Sequence, residues 1–161
     1  MAPDIFAKIG TIKGESLDDK HKDEVEVLSW SWGVSQTAGP GSGAGGGTGK
    51  PSFADFHITH HIDKASPALM AACATGEHIK DATISVRKAG KGQQEYLIIE
   101  MIDILITSVE PSLSDGQVGT ENVSLKPAQV HLEYRPQKPD GSLDVGVHFK
   151  YDIKLNKEGL G

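Results

Sequence analysis

Val145-Gly146-Val147-His148-Phe149-Lys150-Tyr151-Asp152-Ile153-Lys154-Leu155 decides the fold. Val145, Val147, Phe149, Tyr151, Ile153 and Leu155 share one parity, and His148, Lys150, Asp152 and Lys154 share the other. Period-two alternation is the pattern of a strand with one face on a core and one in water. The same period governs earlier segments, with interruptions. Val25 and Val27 have one parity while Leu28, Trp30, Trp32 and Val34 have the other. A surplus residue near Leu28, a β-bulge, reconciles the two halves. Val123 and Leu125 likewise stand out of phase with Val130, Leu132 and Tyr134. Pro127 lies at that change and cannot donate to a ladder, so a bulge or bend is expected there. Such devices let strands curl into a barrel or a tight sandwich.

The stretch Tyr96 to Ile106 reads as apolar on both faces, interrupted only by Glu100 and Asp103. A strand of that kind must be covered on its second side. One helix is available for this. Ser66-Pro67 forms an N-cap and first-turn pair, Gly76 supplies the stop, and Leu69, Ala72 and Cys73 fall on one face between them. The expected fold is mainly β: a small β-barrel-like fold of two antiparallel sheets with one short flanking α-helix. Residues 1–161 form a single domain in this reading, with a flexible glycine-rich loop over 39–50, where seven glycines occur in the eleven residues from Gly39 to Gly49.

Composition excludes several classes of function. Sixteen Lys and Arg stand against 22 Asp and Glu, a net charge of −6, which is the wrong sign for a phosphate-backbone binder. No nucleic-acid partner is expected. A single cysteine, Cys73, precludes a disulfide scaffold within the chain. Met1 to Phe6 lacks the basic and apolar regions of a secretory signal, so synthesis and folding in the cytoplasm are expected. The most apolar stretch is far too short to span a bilayer, and no membrane insertion is expected.

Catalytic and cofactor motifs fail on their own chemistry. Gly41, Gly43 and Gly46 spell G-x-G-x-x-G, but Lys50-Pro51 leads into a strand, whereas a dinucleotide site needs a helix whose first amides hold the pyrophosphate. Asp55, His57, Thr59 and His61 share a strand face, yet His57 and His61 are roughly 13 Å apart at a rise of ~3.3 Å per residue and do not easily chelate one ion. His131 and His148 are further imidazoles without a placed partner. Cys73 reads as a small buried thiol rather than a nucleophile. Trp30 and Trp32 read as core, which sends Ser31 to the opposite, polar side. No catalytic, cofactor or metal residues are assigned.

Longer blocks carry a resemblance. Phe6-Ala7-Lys8-Ile9-Gly10, Val25-Glu26-Val27-Leu28-Ser29-Trp30-Ser31-Trp32-Gly33-Val34-Ser35-Gln36, Ile62-Asp63-Lys64-Ala65-Ser66-Pro67-Ala68-Leu69-Met70, Val86-Arg87-Lys88-Ala89-Gly90, Glu95-Tyr96-Leu97-Ile98-Ile99, Glu121-Asn122-Val123-Ser124-Leu125 and Tyr134-Arg135-Pro136-Gln137 occur in the order found in the hemolysin-coregulated protein (Hcp) family, which the chain resembles over nearly its whole length. The resemblance implies a structural tube subunit of the bacterial type VI secretion system and no enzyme. It implies hexameric rings that stack into a tube, expelled from the cell without a signal peptide by a contractile sheath. The implied partners are further copies of the chain, a trimeric spike protein, the sheath, and secreted effectors held in the lumen. On that basis Ser31 is expected on the lumen wall. Gly39, Gly41, Gly43, Gly45, Gly46, Gly47 and Gly49 are expected in a ring-stacking loop, and Ile98, Ile102 and Ile104 near the subunit interface. The competing readings are a small-ligand-binding β-barrel, which needs an apolar internal pocket, and a metal-dependent cupin-like enzyme, which needs the histidines.

Overall fold

The computed structural model describes residues 4–37, 49–88 and 92–159. In chain order the elements are β1 (Ile5–Ile9), β2 (Val25–Ser31), β3 (Val34–Ser35), β4 (Ser52–Phe53), β5 (Phe56–His61), α1 (Ser66–Thr75), β6 (His78–Arg87), β7 (Glu95–Ser112), β8 (Thr120–Tyr134), β9 (Val147–Asp152) and β10 (Lys157–Glu158). The large sheet runs β10-β9-β8-β5-β2-β1-β6-β7, and β7 pairs again with β8, so six strands close on themselves into an antiparallel barrel. β3 and β4 form the second, small sheet, a two-stranded arm beside it. Of the seven glycines assigned to the stacking loop, the six from Gly39 to Gly47 lie outside the described residues and Gly49 is among them.

Alternation closes the barrel on its own side chains. Ile9, Val25, Ile58, Ile84, Ile99, Met101 and Leu125 have no more than 1% of their surface exposed and form one cluster. The bulge expected at Leu28 is present: pairing with β5 slips between Val27 and Ser29, and Leu28 is left half in water. The tryptophan rings pack as expected, Trp30 stacking on Phe56 at 5.4 Å and Trp32 on Phe53 at 5.9 Å. The expectation for the last run needs trimming. Only Val147–Asp152 is strand, and Val145, Val147 and Leu155 are exposed because β9 overhangs the barrel, so its alternation outlasts the core beneath it.

The reading of Tyr96 to Ile106 as two-sided is corrected. Ile99 and Met101 point inward, and so do Ile104 and Ile106, although the two pairs have opposite parity. The backbone changes face between them, with Asp103 at φ 54°. Pairing there keeps its register, because Ile102 faces Asp81 and Gln129 while Ile104 faces Ile79 and Pro127. Each neighbour turns at the same level: Ile79 and Ala82 on β6 are both buried, as are Pro127 and Val130 on β8. This is a crease across three strands, and it explains the phase change foreseen beside Pro127. Of the aliphatic side chains in that stretch, Ile98, Ile102 and Leu105 remain on the outer side.

The helix packs against β7, with Leu69 and Ala72 in the barrel cluster. Its stop is as expected: Gly76 is left-handed at φ 69°, and the Gly76 and Glu77 amides donate to the Cys73 and Ala72 carbonyls. Its start differs. Ala65 occupies the cap position, and Ser66 is the first helical residue, its hydroxyl accepting from the Asp63 amide at 3.2 Å.

Candidate assembly surfaces

A barrel filled by its own side chains leaves its chemistry on the outside, where two faces differ. The first lies on β2, β5 and the adjoining halves of β8 and β7. Ser31 is exposed there, opposite His57 in the ladder. His57 Nδ1 is 2.8 Å from Ser124 Oγ, Ser108 Oγ donates to the same hydroxyl at 2.8 Å, and Thr59 Oγ1 donates to Asn122 Oδ1 at 2.7 Å. Small hydroxyl and amide groups tie this wall together. His57 and His61 point outward but converge on no ion site, and among the described residues no group of three or more His, Cys, Asp or Glu is arranged to hold a metal.

The second face lies on β6, the first half of β7, the second half of β8 and β9. Ile102 is 39% exposed and Ile98 is partly exposed on it. Ile104 has no exposed surface, so its assignment to a subunit interface is corrected: the crease turns it into the core, where it can touch no neighbouring chain. Around Ile98 and Ile102 run charged ladders. Glu133 accepts from Arg135 at 3.1 and 3.2 Å, and this guanidinium holds the Glu133 carboxyl below its ordinary range.

Two clusters of charge escape the sequence reading. His60 points into the barrel, with Nε2–H donating to Glu121 Oε1 at 2.9 Å, and both side chains are fully buried. Asp63 Oδ2 lies 3.8 Å from the other ring nitrogen, and its removal from water raises the Asp63 pKa above the usual carboxylate value. The second cluster lies under the segment 10–24, which crosses the outer side of β1. Phe6, on the outer parity of β1, is sealed by His21 stacked at 4.4 Å and by the Arg87 guanidinium 4.7 Å from its ring centre. Arg87 donates to both Asp18 oxygens at 3.0 and 2.8 Å, and that bond holds the Asp18 carboxyl below its ordinary pKa. His21 bridges Glu24 and Glu95 at 3.0 and 2.7 Å. Asp18 and Glu24 therefore anchor a strap. Gly14 is required within it, since a Cβ there would stand 2.5 Å from the Glu24 carbonyl oxygen.

No helix among the described residues is long and apolar enough to cross a membrane. Residues 6–134 match the family model described as "Type VI secretion system effector, Hcp". Protein hcp1 of Pseudomonas aeruginosa is 52% identical over 159 residues, covering 97% of this chain and 98% of the relative. Hcp1 from Salmonella typhimurium superposes with a TM-score of 0.81 at 41% identity, over 98% of this chain and 99% of that one. A type VI secretion system effector from Yersinia pestis gives 0.77 at 36% identity, over 92% and 99%. A barrel with one helix, a strap across its first strand and these full-length matches place the chain in the Hcp family of type VI secretion proteins.

Proposed function

We propose that this chain is a structural tube subunit. Hexameric rings form side to side, stack into a tube, and are expelled by the contractile sheath with effectors carried in the lumen. The observation that carries this reading is a barrel with a filled interior and two chemically unlike outer faces. A ring needs a heterologous interface, and a channel needs a wall that does not adhere to itself. Ile98 and Ile102, framed by charge, suit the first requirement. The Ser31, His57, Ser124 and Asn122 wall suits the second. A ligand-binding barrel has no room where Ile58, Met101 and Leu125 already sit. In this reading the chain is made in the cytoplasm and leaves it through the type VI machinery without a signal peptide. The trimeric spike at the tube tip is its other partner, and it transforms no substrate.

Light scattering on the purified chain is expected to give about 100 kDa, a closed ring, rather than the 17.1 kDa of one copy. Ile102→Glu is expected to convert rings to single chains, since an unpaired carboxylate forced into each contact costs about 2–3 kcal/mol. A 17.1 kDa particle for the unaltered chain overturns the ring. An unchanged ring in Ile102→Glu removes this face from the contact.

Ser31→Trp is expected to leave ring mass unchanged and to reduce effector retention in a pull-down; equal retention takes Ser31 off the lumen wall. Residues 39–50 lie in sequence between β3 and β4, and we assign them to ring stacking. Shortening Gly41 to Gly47 is expected to stop tube growth while rings persist, and tubes of normal length would overturn that assignment.

A further inference from the structure

Glu100 on β7, His131 and Glu133 on β8 and His148 on β9 lie together on the outer side, Glu100 opposite His131 and Glu133 opposite His148. His131 Nε2 and His148 Nδ1 face each other at 2.8 Å, with ring centres 5.0 Å apart. The remote nitrogens turn towards carboxylates: His131 Nδ1 lies 3.4 Å from Glu100 Oε2, and His148 Nε2 lies 3.7 Å from Glu133 Oε2. At 3.4 and 3.7 Å these are charge contacts rather than hydrogen bonds, and the two rings are joined by an N–H···N hydrogen bond whose proton sits on one of the facing nitrogens. One proton holds the facing nitrogens together, and a metal ion can take its place. A carboxylate behind each imidazole is the arrangement that orients histidine ligands and makes them more basic.

We propose that His131 and His148 form a surface clamp for a divalent transition-metal ion of the zinc, nickel or copper type. Imidazole nitrogen suits these ions, and tetrahedral bonds of about 2.0–2.1 Å place two ligand nitrogens roughly 3.3 Å apart. The facing nitrogens need to separate by only about half an ångström, which the exposed His148 side chain allows. The ion displaces the shared proton and keeps its other positions open to water or to an outside ligand. Lys150, opposite His131 in the ladder, is the one cation beside the clamp among the described residues, and Arg135 is engaged by Glu133. The clamp lies on the same outer face as Ile98 and Ile102, with His148 opposite Glu133 and Glu133 opposite Ile98 in the ladder.

Calorimetric titration of the full chain with zinc chloride in a non-chelating buffer near neutral pH is expected to show one saturable site. His131→Gln/His148→Gln is expected to lose it. Glu100→Gln is expected to weaken it about tenfold, the effect of removing an outer carboxylate. The wild-type chain supplies a second readout, in which zinc shifts the imidazole NMR signals of His131 and His148 together. Absence of saturable binding below about 1 mM overturns the clamp. So does binding that persists in the folded double variant, or zinc shifts confined to the other histidines.

Discussion

Glu121→Ala is expected to destabilise the fold by about 3–5 kcal/mol, read as a lower urea midpoint at unchanged slope. The cost follows from burial. His60 and Glu121 are both fully enclosed and 2.9 Å apart, so removing the carboxylate leaves an imidazole in the barrel with its Nε2–H unanswered. A buried polar group without a partner costs about 1–3 kcal/mol, and the vacated side-chain volume adds a cavity. Glu121→Gln keeps an acceptor at the same reach and is expected to cost about half as much. Replacing both partners, as in His60→Phe/Glu121→Leu, is expected to recover much of the loss, because two apolar groups leave no charge stranded. A loss below about 1 kcal/mol in Glu121→Ala would show that the pair carries little of the stability.

Asp18→Ala is expected to cost about 3 kcal/mol, with a particular dependence on pH. The Arg87 side chain is 1% exposed and Asp18 is 18% exposed, so a doubly bonded carboxylate stands between a buried cation and water. Bidentate bonding lowers the Asp18 pKa from its ordinary 3.8. The folded state therefore binds this proton less readily than the unfolded state. The pair contributes in full above about pH 4 and loses its contribution as the pH falls through the lowered folded value. The difference between wild type and Asp18→Ala should be flat from neutrality to about pH 5 and shrink in more acidic solution. Hydrogen exchange locates the effect. The Gly14, Ser16 and Asp23 amides, bonded within the strap to Asp23, Glu24 and Ser16, should exchange faster in the variant while barrel amides change less. Uniform acceleration across the barrel would mean that the strap and the barrel open as one unit.

Much of this architecture was legible as parity. The Leu28 bulge, the inward tryptophans, the outward Ser31 and the helix stop at Gly76 all follow from period and from single-residue chemistry. Parity does not reveal what lies beneath a strand, so the overhang of β9 read like its packed portion. It also averages over a face change: Tyr96 to Ile106 looked apolar on both sides because its inward positions shift at Asp103. His60 was within reach, since it shares the parity of Phe56 and Ile58, two residues bound for the core. Arg87 was not. Its cover comes from a segment some seventy positions earlier in the chain, and its partner Asp18 lies in a run that looks solvated on composition alone.

The crease has a consequence of its own. Where Lys80-Asp81, Ile102-Asp103 and Ala128-Gln129 lie side by side, the three strands behave like rows of a lattice sharing one fault line. Removing a single position from one row creates a dislocation: everything beyond it on that row swaps sides while its neighbours do not. Length is therefore held more tightly than residue identity at this level, and drift there can change letters freely but can add or drop none.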